Sequence, residues 1–265
     1  DLDGAIGSAT APATLTVNGA LNAGADLTAA GDVTLAGAVT LSGSARSFAS
    51  TSGDLTLAGA LDGAQDLTLT ASNGTIALQA VGGSTPVGAL DLNANAATLG
   101  GSVQAASLNT LGVGLTTLAA TTVEVDVSAA GTAANFGALG GANHLTVTAT
   151  NSFGDLRFRA ADLASLVVDD ADDVTFYGAF ETSGVVDVDT NIGGQVAVSS
   201  SGSITAGGAV SADAAHLIVD GPVTGSTVTL GTTGGNALEM AAEVTGTSGV
   251  TFADPVTVDG SAVTV

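Results

Sequence analysis

Gly31-Asp32-Val33-Thr34-Leu35-Ala36-Gly37-Ala38-Val39-Thr40-Leu41 and Gly53-Asp54-Leu55-Thr56-Leu57-Ala58-Gly59-Ala60-Leu61 are the stretches that decide the fold of this chain. In each, a short run of apolar residue, threonine and apolar residue is broken by glycine and alanine before a second run begins. Alternation of this kind places the apolar side chains on one face and threonine on the other, the pattern of a half-buried strand. The tripeptide Gly-Ala-apolar marks the phase. It returns at Gly4, Gly19, Gly37, Gly59, Gly88, Gly137, Gly178 and Gly208.

The strand triplets continue through Leu67-Thr68-Leu69, Ile76-Ala77-Leu78, Leu145-Thr146-Val147, Leu156-Arg157-Phe158 and Val174-Thr175-Phe176 to Val256-Thr257-Val258. Taking every second one gives the series Leu145, Leu166, Val185, Ile204, and the interleaved set gives Leu156, Val174, Val196, Leu217, Leu238. Both series advance by about 20 residues per step, the length of one coil in a repeat solenoid. Two or three short strands per turn, separated by Asn18-Gly19, Asp62-Gly63, Asn73-Gly74, Asp220-Gly221 and Asp259-Gly260, describe a coil of a parallel β-solenoid. The same dipeptides also suit antiparallel hairpins, so a β-sandwich is the rival fold. A sandwich has no reason to hold one phase over this length. The expectation is a single continuous all-β solenoid of parallel strands over residues 1–265 with about 20 residues per coil and roughly 13 coils. In it Leu145, Val147, Leu156, Phe158, Val174 and Phe176 point inward and Thr146, Arg157 and Thr175 outward.

Composition agrees and removes several functions. Hydrophobic residues make up 45% of the chain, yet aromatics only 3%, with no Trp, so the apolar stock is small and aliphatic and suits a narrow stacked interior. Three arginines and no lysine stand against 25 acidic residues, a net charge of −22 that repels phosphate backbones and anionic lipid. No nucleic-acid partner is expected. No apolar run approaches the roughly 18 to 20 residues of a membrane span. Without Lys there is no Walker A loop, and without Cys neither a thiol nucleophile nor a disulfide framework. The chain opens without Met at Asp1 and closes in the strand-like Val263-Thr264-Val265, which reads as a section of something longer or a subunit that meets its neighbours end to end.

The glycine-aspartate-strand segments quoted above resemble filamentous-haemagglutinin-like bacterial surface proteins, and the resemblance covers most of the chain. It implies a right-handed parallel β-helix, export across a Gram-negative outer membrane, and a place at the bacterial cell surface as an extracellular fibre or adhesin. The family's amino-terminal secretion domain is not recognisable in this sequence.

One stretch departs from the background. Phe153 to Asn191 holds Phe153, Phe158, Phe176, Tyr177 and Phe180, together with Arg157 and Arg159. Asp169, Asp170, Asp172 and Asp173 follow half a coil after the arginines, and Asp187 and Asp189 nearly one coil later again. A surface salt-bridge patch beside an aromatic-filled coil is the plainest reading; exposed pairs of this kind contribute about 0 to 1 kcal/mol. Calcium is the alternative, with Asp169, Asp170, Asp172, Asp173, Asp187 and Asp189 as ligands, because Asp169 to Asp187 and Asp173 to Asp189 are each close enough to one coil for the carboxylates to stack. Stacked carboxylates repel unless a cation or proton intervenes. Known calcium loops do not fit: Ile192 stands where an EF-hand needs glycine and Val198 where it needs glutamate. His144 and His216 lie far apart along the chain and read as structural, and Asn73-Gly74-Thr75 as a turn rather than a glycosylation site.

The expected function is therefore a noncatalytic, cofactor-free extracellular rod that extends, assembles with copies of itself or other surface components, or presents a surface to a receptor. A polysaccharide-binding or polysaccharide-degrading β-helix is the enzymatic alternative, and it would need aromatic platforms and basic residues that this composition hardly supplies. Ice binding is prompted by Thr14-Leu15-Thr16, Thr68-Leu69-Thr70, Thr146-Val147-Thr148 and Thr227-Val228-Thr229, although these four are not evenly repeated along one face.

Overall fold

A strand triplet cannot bury its apolar face alone; it needs a copy of itself above and below. The computed structural model, which describes residues 1–150, 154–233, 236 and 238–258, shows that stacking throughout. The protein is all-β, with no helix among the described residues, and coils as a parallel β-solenoid of about 11 turns with about 21 residues per turn. The sequence reading of roughly 13 coils is too high. Some coils are longer than the repeat suggests, the one from Val186 to its partner Val210 among them, and before Leu15 only the isolated bridges of Leu2 and Ile6 pair. The turn Asp259-Gly260 and the closing Val263-Thr264-Val265 lie outside the described residues. The chain forms two compact units, Asp1–Asp126 and Val127–Val265.

In the first unit each coil carries three strand positions. Ile6, Leu27, Phe48 and Leu69 stack on the first, evenly spaced along the chain with one coil between each and the next. On the second, Leu15, Val33, Leu55, Ile76, Ala97 and Thr116 follow one another, and on the third Leu21, Val39, Leu61, Val81 and Val103. Every one of these pairings is parallel, and the coils are laced by backbone bonds such as Leu15 N–H to the Asp32 carbonyl at 2.9 Å and Val33 N–H to the Asp54 carbonyl at 2.9 Å. The inward residues are buried from Leu27 onward, and each Val or Leu so placed stabilises the fold by about 1.5–3 kcal/mol.

The repeated glycines are the corners between these positions. A Cβ on Gly59 would lie 2.3 Å from the Gly37 carbonyl oxygen, and one on Gly37 2.4 Å from the Gly19 carbonyl. At the preceding corner a Cβ on Gly74 would lie 2.2 Å from the Gly53 oxygen. Backbone meets backbone there, so only glycine fits. Aspartate beside these corners is a staple. Asp32 Oδ1 accepts the backbone N–H of Asp54 at 3.0 Å, and Asp54 Oδ1 accepts the N–H of Thr75 at 2.8 Å and its hydroxyl at 3.0 Å. Asp26, Asp62 and Asp66 do the same for Ser47, for Ser84 and Thr85, and for Ala89. The short side chain reaches one coil onward and fills a backbone donor where the strand ladder is broken at a corner. That accounts for the abundance of aspartate over glutamate.

The second unit repeats the scheme. Leu145, Leu166, Val186, Val210, Val228 and Val250 form one column, and Leu139, Ala161, Phe180, Ile204, Val223 and Val244 another. The third begins Phe136, Phe158, Phe176, Val198, Val219. The series Leu156, Val174, Val196, Leu217 holds as expected. Val185 does not: it is 41% exposed, Leu166 pairs with Val186 instead, and Ile204 belongs to the column of Phe180. The interval from Leu166 to Val185 is one residue short, and a one-residue slip in a strand reverses its faces.

Candidate functional site

The irregular stretch of the second unit is built on an aromatic stack. Phe136 and Phe158 lie face to face at 4.9 Å, Phe158 and Phe176 at 5.3 Å, and Phe180 meets both of the latter edge-on at 5.5 and 5.1 Å. All four are buried, and their offset-stacked and edge-to-face contacts add about 0.5–1.5 kcal/mol per pair beyond burial. Phe153 lies outside the described residues. Tyr177, by contrast, is exposed. Further along the interior a void of about 10 Å³ lies among Phe176, Val186, Val196, Ile204, Val210 and Leu217, roughly the space of one water. It is too small for a ligand.

Above the aromatic column, alternation turns Arg157 and Arg159 outward with Asp155 between Gly154 and Leu156. Leu156 pairs with Val174, so Asp155 and Asp173 stand at neighbouring positions of adjacent coils. Burial, then the Asp173 charge, push the Asp155 carboxyl above its ordinary value, while the Arg157 guanidinium opposes them. Asp172 is likewise raised, by burial and by Asp173. Asp173 Oδ1 is itself a staple, accepting the Gln195 N–H at 3.0 Å.

A second acidic group gathers around Asp189. Its register partner is Asp213, and across the other edge the pairing shifts between Val168–Val188 and Ala171–Thr190, so that Asp169 and Asp170 bulge opposite Asp189. Asp170 takes the left-handed backbone of such a bulge, φ 59°. Burial first, then Asp213, Asp169, Asp170 and Asp187, raise the Asp189 carboxyl. The partnerships suggested by spacing alone are therefore not those of the fold. Asp187 pairs with Val167 and Ser211 rather than Asp169, and Asp173 with Gln195 rather than Asp189. Asp155 and Asp213 escaped the sequence reading. Asp155 was detectable, because it precedes Asp173 by the same interval that separates Leu156 from Val174; Asp213 was hidden by the long coil before it. Among the described residues no group of three or more His, Asp or Glu side chains is gathered so as to hold a metal ion.

The remaining sequence candidates have structural partners. His144 Nδ1 lies 2.7 Å from the Ser165 hydroxyl, its register neighbour one coil on. His216 pairs in register with Gln195 and is exposed. In Asn73-Gly74-Thr75 the Asn73 amide donates to the Thr51 carbonyl at 3.3 Å and Thr75 is bound by Asp54, so the tripeptide is a laced corner. Arg46 wraps its own corner, donating to the Ala23, Ser42 and Ala45 carbonyls and to the Ser44 hydroxyl. On the outside, Val185, Asp187, Ala209 and Ser211 edge an open hollow of about 210 Å³. No helix among the described residues is long and apolar enough to cross a membrane. No protein-family model, curated protein or solved structure matches the chain.

Proposed function

We propose that the chain is a noncatalytic structural or adhesive section of an extracellular bacterial surface fibre, of the filamentous-haemagglutinin-like kind that its glycine-aspartate-strand segments resemble. One observation carries this reading: in both units apolar side chains stack on apolar side chains from coil to coil. Such stacking can be repeated coil after coil, and the void beside Phe176 is too small for a ligand. The chain's chemistry lies in repetition, and its surface is what a partner would meet. The terminal coils of any parallel solenoid present unpaired backbone donors and acceptors, which are met by more coils of a longer chain or by a second copy docking head to tail. Self-association is the partner this geometry favours, through strand addition.

Electron microscopy of the purified protein over a concentration series tests the reading. Elongated particles that lengthen into filaments as concentration rises are the expected result. Compact particles of constant size at every concentration would overturn it.

A further inference from the structure

The second strand position of the first unit turns one residue per coil outward in unbroken register. Thr16 stands beside Thr34, Thr34 beside Thr56, Thr56 beside Ala77, Ala77 beside Thr98 and Thr98 beside Thr117, so five of six rungs are threonine. None of the five hydroxyls bonds within the chain among the described residues; Thr16 is exposed and Thr34, Thr56, Thr98 and Thr117 are half-buried on the outer face. Threonine is stiff at χ1, so each rung presents hydroxyl and methyl with little rotamer freedom, and the rungs are about 4.8 Å apart, the spacing of parallel strands. The residues on either side of the strip are mostly short, Gln79 and the exposed Leu115 excepted. On one side, two residues beyond each rung, stand Asn18, Ala36, Ala58, Gln79, Gly100 and Ala119. On the other, Asp32 and Asp54 each commit a carboxylate oxygen to a backbone amide of the next coil.

A ladder with one short repeat binds best what shares that repeat. An irregular protein surface would meet it at one rung, and a sugar polymer has a longer period and would call for aromatic platforms that this face lacks. Hexagonal ice presents rows of oxygen atoms at nearly the coil spacing, and its surface both donates and accepts hydrogen bonds, as a threonine hydroxyl does. We propose that the Thr16–Thr34–Thr56–Thr98–Thr117 ladder is a binding face for ice. Its methyls exclude disordered water while its hydroxyls replace bonds of the lattice, and little ordering entropy is lost because the side chains are fixed beforehand. Contacts add with each rung. In the second unit the outward column through Thr146 continues Val167, Asp187, Ser211, Thr229, and a second column runs Asp162, Glu181, Thr205, Thr224, Thr245, with threonine only on its last three rungs. The inference rests on the strand register of the first unit and holds or fails independently of the fibre reading.

The test is nanolitre osmometry and ice-crystal morphology on the full chain, with Thr56→Lys at the middle of the ladder and Thr146→Lys on the second unit as control. The wild type and the control should open a gap between melting and freezing points and facet the crystals, whereas Thr56→Lys should lose both with its unfolding temperature unchanged. Where Thr56→Lys melts early, Thr56→Val, which keeps the shape and removes the hydroxyl, replaces it and should narrow the gap. Rounded crystals and no gap for the wild type, or equal activity in the ladder variant and the control, would overturn the proposal.

Discussion

At the scale of single residues, the electrostatics of this protein are set by where aspartate falls relative to a corner. Beside a corner glycine it finishes the hydrogen bonding of the next coil, as Asp54 does for Thr75; on the irregular face of the second unit it meets other aspartates. The second arrangement fixes the sign of a pH effect. Asp155, Asp172 and Asp189 have carboxyl pKa values above the ordinary 3.8, chiefly through burial and then through carboxylate neighbours. The folded state therefore binds more protons than the unfolded one between 3.8 and those raised values, and stability falls as pH rises through that window. Melting temperature should climb as the buffer is taken from neutral pH down through this window. Asp189→Asn should raise the melting temperature at neutral pH and shrink the gain on acidification, because it removes the charge that Asp213, Asp169, Asp170 and Asp187 oppose. Thermal melts by circular dichroism read both effects, and identical pH profiles for wild type and variant would refute the cause assigned to Asp189.

At the scale of the strand, inward and outward alternate with a sharp difference in cost. Val174 is fully buried between Leu156 and Val196, whereas its neighbour Thr175 is half-buried on the outer face between Arg157 and Ala197. Val174→Asp should lower stability by about 3 kcal/mol or more, since it places a carboxyl among aliphatic side chains with no partner. Thr175→Asp should cost less than about 1 kcal/mol, the ordinary range of a surface change. Urea denaturation of the two variants checks this, and comparable losses would mean that the faces are reversed. These faces were legible in the sequence because Leu-Arg-Phe and Val-Thr-Phe alternate cleanly, and the same alternation placed Thr34 and Thr56 outside. What could not be read was the length of each coil. Val185-Val186 offers two apolar residues in a row, so periodicity alone cannot choose between them, and the bulge at Asp169-Asp170 adds length on one side of the ladder only. The neighbours of Asp189 depend on that count, which is why Asp213 was not visible before the strands were paired.

At the scale of the whole molecule, one geometric relation defines the solenoid: positions one coil apart along the chain are parallel neighbours, while residues that face each other across a Gly-Ala corner belong to different sides of the same coil. The absence of cysteine from the sequence makes that relation open to direct chemical test. Parallel neighbours about 4.8 Å apart lie within the Cα separation of about 4.4–6.8 Å that a disulfide spans. The decisive measurement is oxidative cross-linking of double-cysteine variants: Thr34→Cys with Thr56→Cys in the first unit, Thr175→Cys with Ala197→Cys in the second, and Thr34→Cys with Thr40→Cys as the hairpin control. Intramolecular disulfides in the first two pairs and none in the third are predicted. Cross-linking of Thr34→Cys to Thr40→Cys, with the two coil-spaced pairs left reduced, would show antiparallel hairpins and contradict the solenoid.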